Sequence, residues 1–179
     1  MSHPILPDVV RRLQSVGDPA LSSDGNRLAY TLSWVDREQL DGRSRIMMLE
    51  LGSGLTQQFT QGARDSAPRF SPDGRTLAFL RGENPGRRQI WLMPANGGEA
   101  QALTDAPLGI SDFVWSPDSA RLVFSADVDP ESPTEAEEFP LAPKVRVVRR
   151  IRYRYDTLGW RGDVHSHLFL VGVEGGEMF

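Results

Sequence analysis

The chain contains no cysteine, which excludes disulfide bonds, thiolate metal sites and cysteine nucleophiles. No uninterrupted apolar run approaches the ~18 residues of a membrane-spanning helix. The opening MSHPILPDVVRRLQ has no basic-then-apolar leader, so we expect a cytoplasmic protein without a secretory signal. Acidic residues outnumber basic ones by 24 to 20, giving a net charge of −4. That balance argues against nucleic acid and anionic membranes as partners.

Motifs of catalysis and cofactor binding are also missing. The chain has no G-x-S-x-G elbow, Walker loop or HExxH, and Gly52-Ser53-Gly54 is typical of a hairpin turn. His165 and His167 share one strand face but lack a third ligand, and the calcium-like spacing of 127–138 has Ser132 where glycine is required. We expect no cofactor, metal or catalytic residue here; a triad assembled only in space would leave no motif.

The most informative feature of the chain is a repeated phrase. Residues 22–30 read SSDGNRLAY, residues 71–79 read SPDGRTLAF and residues 116–124 read SPDSARLVF, so their aspartates lie 49 and 45 residues apart. A period of about 40–50 residues built from short strands is typical of a β-propeller. The predicted fold class is therefore all-β, with four-stranded antiparallel blades. Only three blades are expected here, whereas a closed ring usually has about four to eight.

The second copy predicts one blade in detail, with strands over 67–70, 76–81, 89–93 and 99–104. Between the first two strands, Ser71-Pro72-Asp73-Gly74 predicts a tight turn, because proline presets φ and glycine adopts a left-handed φ without strain. The serines and aspartates of the phrase are accordingly interpreted as turn residues. In the third copy Ser119 replaces the glycine, which would cost about 1 kcal/mol if that residue is left-handed.

The expected organisation is an N-terminal helical segment over 1–18, with its helix over 6–16, followed by blades over 19–65, 66–108 and 109–179. The third blade has its next recognisable strand, Leu168–Val171, very late. A charged insertion over 127–155 is therefore predicted between its second and third strands. We also expect the chain to stop within the fourth strand of this blade.

The insertion is strongly patterned in charge. Its part 127–138 has six acidic and no basic residues, and its part 144–154 has six basic and no acidic residues. On a strand, Arg146, Arg150, Arg152 and Arg154 would share one face. One interpretation is that the acidic part folds onto the basic strand, or that both are solvated. The other is that these arginines bind carboxylates of a peptide substrate, for which guanidinium groups are well suited.

The repeat resembles the PD-type propeller repeat of two groups of proteins. Its elements are S-P-D-G, an apolar triplet, I-W-L-M, a glycine pair and a final L-T. One group is the prolyl oligopeptidase family of serine peptidases and the other is the Tol-system periplasmic propeller. The opening LPDVVRRLQSVGDPALSSDGNRLAYTLSWVD and the late RIRYRYDTLGWRGDVHSHLFLVGVEGGE resemble the acylaminoacyl-peptidase-like branch of the first group.

That resemblance implies a seven-bladed propeller covering an α/β-hydrolase domain that carries the catalytic serine, aspartate and histidine. This chain would be the N-terminal propeller segment, without the triad, of a serine peptidase acting on short or N-acylated peptides. Its partners would be peptide substrates and its own hydrolase domain, and an unpaired blade edge also permits a homo-oligomer. The alternative is a non-catalytic, Tol-like propeller that binds another protein. The sequence leaves open acylaminoacyl, dipeptidyl, carboxypeptidase and oligopeptidase specificity.

Overall fold

The computed structural model describes residues 12–82, 87–129 and 164–175, and the backbone of two short strands further along the chain. Blade 1 consists of β1 (Gln14–Leu21), β2 (Arg27–Val35), β3 (Gly42–Glu50) and β4 (Thr56–Gln58). Blade 2 consists of β5 (Asp65–Phe70), β6 (Thr76–Gly82), β7 (Arg88–Pro94) and β8 (Gln101–Ala102). Blade 3 contains β9 (Ile110–Trp115), β10 (Arg121–Val128) and β13 (His165–Gly172). The two short strands are β11 (Arg154–Tyr155) and β12 (Gly159–Trp160), which pair with each other.

Every blade is an antiparallel meander, which confirms the predicted all-β propeller class. Blades 1 and 2 each hold four strands in chain order, and blade 3 has the order β13-β10-β9. β10 pairs with β13 along its whole length, from Arg121 opposite Gly172 to Val128 opposite His165. The link from Val128 to His165 therefore lies between the second and third strands of blade 3, and the predicted bounds 127–155 differ from it because Asp127 and Val128 belong to β10. The residues that would form a fourth strand, 176–179, lie outside the described ranges.

The N-terminal helix predicted over 6–16 is wrong at its C-terminal end. β1 begins at Gln14, and Ser15 to Gly17 pair with β2 as the first strand of blade 1. Residues 1–11 lie outside the described part of the chain. A pattern of three apolar residues over two turns is too short to specify a helix alone, whereas pairing with β2 satisfies the backbone groups of this segment. Blade 1 consequently starts before the expected boundary at residue 19.

The repeated phrase forms the same hydrogen-bonded turn in each blade. The serine Oγ donates to the aspartate carboxylate two residues later and accepts the backbone N–H five residues later. The serine-to-aspartate distances are 2.6 Å, 2.6 Å and 2.5 Å for Ser22–Asp24, Ser71–Asp73 and Ser116–Asp118. These bonds close the connection between the first two strands, so the interpretation of the serines and aspartates as turn residues is confirmed.

The turns also carry the expected left-handed residue. Gly25 and Gly74 have φ of 72° and 71°, and Ser119 has φ of 60° in the third copy. Ser119 therefore adopts the strained conformation predicted from the sequence. Its Oγ accepts a 3.1 Å hydrogen bond from the backbone N–H of Asp73 in the neighbouring turn. The strain is thus partly offset by a contact between blades 2 and 3.

Two apolar layers lie between the blades, and β6 contributes to both. Leu77 and Phe79 pack against Ala29, Ile46 and Met48 of blade 1. The alternate residues Ala78 and Leu80 belong to the layer with blade 3, whose buried members include Phe113, Leu122, Phe124 and Val171. The alternation of side chains along a strand therefore places one apolar face of blade 2 on each neighbour.

The aromatic residues of the strands divide into two groups by where they pack. Phe79 and Phe124 are fully buried, and Phe124 stacks on Phe169 with ring centroids 5.4 Å apart. Trp91 is partly buried against the layer between blades 1 and 2. Tyr30 points the other way, because it alternates with Ala29 and Thr31, and it lies outside both layers.

A buried ion pair lies at the crossover between blades 1 and 2. The Asp65 side chain is 0% exposed and receives Nε and Nη2 of Arg81 at 2.7 Å and 2.9 Å. The backbone N–H of Gly62 donates a third hydrogen bond to Asp65 at 3.1 Å. The Arg81 guanidinium lies over the rings of Phe79 and Trp91, 5.1 Å and 4.6 Å from their centroids. This bidentate pair joins the start of β5 to the end of β6.

Removing one partner of this pair should be costly. We expect Asp65→Ala to lower the free energy of unfolding by about 3–5 kcal/mol, because it leaves the Arg81 charge in a largely desolvated position. The matched control is Asp112→Ala, which breaks the more exposed pair with Arg69 and should cost under about 1 kcal/mol. Urea denaturation of both variants measures the difference. Equal losses would show that burial does not set the energy of the Asp65 pair.

The two turn glycines form a second matched pair for stability. A Cβ at Gly25 would meet nothing within 4 Å, whereas a Cβ at Gly74 would lie 2.5 Å from Ser23 Oγ. Gly25→Ala should therefore cost about 1–2 kcal/mol from the left-handed backbone alone, and Gly74→Ala should cost more. In the double variant Ser23→Ala/Gly74→Ala the excess should shrink. Thermal denaturation of the variants tests this, and an unchanged excess in the double variant would refute the contact as its cause.

The turn aspartates should make stability depend on acid. Hydrogen bonds from Ser22 and the Asn26 backbone lower the pKa of Asp24 from 3.8 to about 2, and the corresponding serine bonds lower the pKa of Asp73 and Asp118. A lowered folded-state pKa contributes stability above the unfolded value, and that contribution is lost as pH falls from about 4 toward 2.

The triple variant Asp24→Asn/Asp73→Asn/Asp118→Asn should therefore lose less stability over this acid range than the parent. Unfolding free energies at about pH 5, 4, 3 and 2 provide the comparison. Asp105→Asn changes an exposed carboxylate outside the turns and serves as the control. If the unfolding free energy of the triple variant falls as steeply with pH as that of the parent, the turn carboxylates are not the source of the acid dependence.

Candidate functional site

The predicted arginine strand is only marginally covered by the structure. Arg146, Arg150 and Arg152 lie outside the described residues. Arg154 lies in β11, opposite Trp160 of β12, and only its backbone is described. The common face and the binding of peptide carboxylates therefore stay predictions for these four residues.

Other candidate groups have ordinary structural positions. Ser71 Oγ and Ser116 Oγ each donate to the aspartate two residues later and accept one backbone N–H five residues later within their turns. His165 and His167 are exposed residues of β13. Among the described residues no cluster of three or more histidines, aspartates or glutamates could hold a metal ion. Over the same residues there is no helix long and apolar enough to cross a membrane.

The described blades differ at their two ends. One end carries the Ser-x-Asp turns described above. The other end, here called the loop end, carries the links between second and third strands, Val35 to Gly42 in blade 1 and Gly82 to Arg88 in blade 2. Val128 and His165 place the insertion of blade 3 at the same end. The loops of variable length are therefore gathered at the loop end.

A pocket of about 600 Å³ lies at the loop end, at the junction of blades 1 and 2. Its apolar lining residues are Leu13, Trp34 and Val35, and serines of β1, β2, β3 and β5 also line it. The charged residues of the lining are Arg43, Arg64, Arg88 and Asp41. The volume of this open cavity falls within the range of small-ligand sites.

The crossover from blade 1 to blade 2 fixes Arg64 in the pocket wall. The Ser44 N–H donates to the carbonyl oxygen of Ala63 at 3.0 Å, and the Gly82 N–H donates to that of Arg64 at 3.3 Å. The Arg64 side chain forms an ion pair with Asp41 and donates Nε to the Gly42 carbonyl at 3.3 Å. Arg64 is thus held from both blades, one residue before the buried Asp65.

The link between β2 and β3 orders Arg43 and Asp41. The Asp36 N–H donates to the Asp41 carbonyl oxygen at 2.7 Å, which closes this link. The Asp36 carboxylate accepts the backbone N–H groups of Gln39 and Glu38, and these bonds lower its pKa. Arg43 then donates to the side-chain oxygen of Gln39. Arg43 therefore has a neutral hydrogen-bond partner on the ordered loop.

Arg88 comes from the opposite side of the pocket. It is the first residue of β7, directly across from Gly82, and its Nη2 lies 3.4 Å from the Ser111 carbonyl oxygen of blade 3. The Arg88 guanidinium group is therefore directed toward blade 3. Arg43 pairs with Trp34 on the face of blade 1 away from blade 2, and it donates to Gln39. Of the charged lining residues, Arg64 and Asp41 form an ion pair in the cavity wall.

No charge pattern in the sequence indicates this pocket. Arg43, Arg64 and Arg88 are separated by more than 20 residues each and lie in no charge run. The sequence signal that could have indicated it is that these three arginines lie near strand ends at the same end of the predicted blades. Only the register of the strands shows that these ends meet.

The stacked, four-stranded blades place the chain in the class of β-propeller proteins. A family model described as the TolB β-propeller domain matches residues 8–134. The uncharacterized peptidase YuxL of Bacillus subtilis is 34% identical over 185 residues, covering 99% of this chain and 28% of that protein. The chain belongs to the TolB β-propeller family and corresponds to a propeller segment of the prolyl oligopeptidase family of peptidases.

The solved structure of Pyrococcus horikoshii acylaminoacyl peptidase supports the same fold. It superposes with a TM-score of 0.77 at 22% identity, over 96% of this chain and 25% of that one. The Tol-Pal system protein TolB 1 of Novosphingobium aromaticivorans is 34% identical over 77 residues, 42% of this chain and 17% of its own. The chain thus spans about a quarter of the length of the peptidases it matches, and its likeness to TolB covers a shorter stretch.

Proposed function

We propose that this chain is the substrate-screening propeller of a cytoplasmic serine peptidase that hydrolyses short or N-acylated peptides. The observation that carries this proposal is its 34% identity to a peptidase over 99% of its own length. The likeness to acylaminoacyl peptidase supports the same fold.

The proposed division of labour follows from the chemistry of the described residues. The repeat serines donate and accept hydrogen bonds inside turns, and none forms a pair with a histidine. Hydrolysis would therefore occur in a hydrolase domain, where a serine attacks the acyl carbon, a histidine transfers the proton and an aspartate orients the histidine. The propeller would limit access to peptides and would bind their carboxylates through Arg146, Arg150, Arg152 and Arg154.

A serine-reactive fluorophosphonate and a substrate panel test the peptidase assignment. The full-length protein should be labelled by the probe and should release the chromophore from N-acetyl-alanine p-nitroanilide or an alanyl-alanine analogue. The 179-residue chain alone should do neither. Labelling and turnover by that chain would place the nucleophile inside it and refute the proposal.

Charge reversal tests the arginine strand separately. Arg150→Glu/Arg152→Glu should raise the KM for peptides with a free terminal carboxylate by at least about tenfold, with kcat little changed, because binding rather than chemistry loses its partner. Arg75→Glu is the control, since Arg75 is an exposed residue at the turn end. An unchanged preference for free over amidated peptides would exclude this role.

A second candidate function is a non-catalytic propeller that binds a protein partner. It is supported by the TolB family match over 8–134 and by the 34% identity to TolB 1 over 77 residues. The reading frame distinguishes the two functions: further repeats followed by a G-x-S-x-G elbow indicate a peptidase, and repeats alone indicate a binding module.

A further inference from the structure

We infer that Asn96, in the tight turn between β7 and β8, is a deamidation site whose conversion loosens the contact between blades 1 and 2. The inference concerns a covalent change of the chain itself, so it goes beyond the proposed function and does not depend on it. Three features carry it: the glycine that follows Asn96, the unbonded side-chain amide of Asn96 and the position of the turn at a contact between blades.

The local sequence favours this reaction. Asparagine is a thermolabile residue, because the backbone nitrogen of the next residue can attack its side-chain amide carbon. Here the next residue is Gly97, and a Cβ built at Gly97 would meet nothing within 4 Å, so the space around this position is open. A glycine leaves its backbone nitrogen unshielded and gives the chain the freedom to reach the geometry of attack.

The reaction requires only the chain and water. The Gly97 nitrogen forms a bond to Cγ of Asn96 and gives up its proton, while the bond from Cγ to Nδ2 breaks and the nitrogen leaves with that proton as ammonia. The product is a cyclic succinimide. Water then opens the ring at either of its carbonyl carbons, which leaves an aspartyl or an isoaspartyl residue at position 96.

The turn leaves the reacting groups accessible. Asn96 is exposed, and within the described part of the chain no hydrogen bond holds its side-chain amide. The Gly97 N–H donates to the Pro94 carbonyl oxygen at 3.0 Å. This bond must open before the nitrogen can attack, and turns at the surface open locally without unfolding of the core. Opening of one hydrogen bond therefore precedes the reaction.

Asn26 is a matched control within the same chain, because it is also exposed but its side chain is held. Its Nδ2 donates to the Asp24 carboxylate at 3.0 Å, and its backbone N–H donates to the same carboxylate at 3.1 Å. The next residue is Arg27, whose side chain shields its backbone nitrogen, and that N–H donates to Ser22 Oγ at 2.9 Å. Asn26 should therefore deamidate more slowly than Asn96.

A following glycine alone does not make a reactive site in this chain. Asp24 and Asp73 also precede glycines, but serine hydroxyls and backbone N–H groups donate to their carboxylates. These bonds lower the pKa of both carboxyl groups and keep them ionised. Because an ionised carboxylate is a poor target for a nucleophile, the neutral, unbonded amide of Asn96 differs from both aspartates.

The turn is important because the residue before Asn96 connects two blades. The Ala95 carbonyl oxygen accepts Nη1 of Arg27, which belongs to blade 1. The Arg27 guanidinium also lies 5.6 Å from the centroid of the Phe70 ring. An isoaspartyl residue adds one atom to the backbone of this tight turn, so the turn can no longer present the Ala95 carbonyl to Arg27 in the same geometry. Deamidation would thus weaken one of the contacts between blades 1 and 2.

Ageing of the full-length protein in mildly alkaline buffer tests the site. Peptide mapping by mass spectrometry should show that Asn96 is converted to the acid severalfold faster than Asn26 in the same sample. Aspartyl and isoaspartyl products should both form, because the ring opens at either carbonyl, whereas direct hydrolysis of the amide gives the aspartyl product alone. Conversion at Asn96 that is no faster than at Asn26, or an aspartyl product alone, overturns the inference.

Two variants test the consequence for the blades. Asn96→Asp has the new charge on a normal backbone, and Asn96→Gln keeps an amide whose longer side chain forms the corresponding ring far more slowly. The aged parent should melt a few degrees below both the fresh parent and Asn96→Asp, because only ageing introduces the isoaspartyl backbone. Asn96→Gln should melt at the same temperature before and after ageing. An equal fall in Asn96→Gln, or an aged parent that melts like Asn96→Asp, would refute the loosening.

A further variant tests whether the contact with blade 1 transmits the effect. Arg27→Ala lacks the contact to the Ala95 carbonyl from the outset, so ageing should lower its melting temperature less than that of the parent. The same fall in both proteins would refute this contact as the cause. None of these measurements uses peptidase activity, so failure of the proposed function and failure of this inference are distinguishable.

Discussion

The need to cover both faces of each blade is the constraint on which this structure depends. A small sheet is unstable in water unless its apolar face packs against another element, and the central blade here has two such faces. Along β6, Leu77 and Phe79 are buried against blade 1, and Ala78 and Leu80 are buried with blade 3. The sequence repeats because each blade must present a similar apolar surface to the next blade.

The same constraint shows in the outer faces of the described blades. In blade 3, Leu168 and Val114 lie on the face away from blade 2 and are 75% and 48% exposed. In blade 1, Leu21 pairs with Leu28 on the face away from blade 2. Both faces carry the apolar residues that the inner faces use to pack. Stacking, rather than any single blade, is therefore the unit of stability.

The crossover between blades 1 and 2 connects this apolar stack to the pocket. Arg64 and Asp65 are adjacent in sequence and carry opposite charges. The Arg64 side chain forms an ion pair with Asp41 of blade 1, and the Asp65 side chain forms one with Arg81 of blade 2. The buried pair fixes the backbone, and the more accessible pair shapes the pocket wall. Because two adjacent peptide units are constrained from both blades, a shift of one blade against the other would change the pocket directly.

The features that could be predicted from the sequence are those encoded locally. Short local patterns indicate the Ser-x-Asp turns, the left-handed conformation of Ser119 and the late third strand of blade 3. The predicted helix failed because its apolar pattern was short and strand pairing at Gln14 replaced it.

The pocket could not be predicted, because it depends on which strand ends meet. Its lining residues come from the ends of several strands and from the crossover, and only register and crossover geometry bring these ends together. The conspicuous basic run, 144–154, lies outside the described residues apart from the backbone of Arg154.

The two ends of the blades also differ in what remains for a ligand to bind. At the turn end, each repeat serine and aspartate is already bonded to its own turn, and these bonds lower the pKa of Asp24, Asp73 and Asp118. Such groups have little capacity left for a partner. At the loop end, Arg43 and Arg88 have neutral hydrogen-bond partners. The strand pair that bears the insertion, from Val128 to His165, also opens at that end. The links of different length between second and third strands thus lie at one end of the blades, while the turns at the opposite end hold the repeats together.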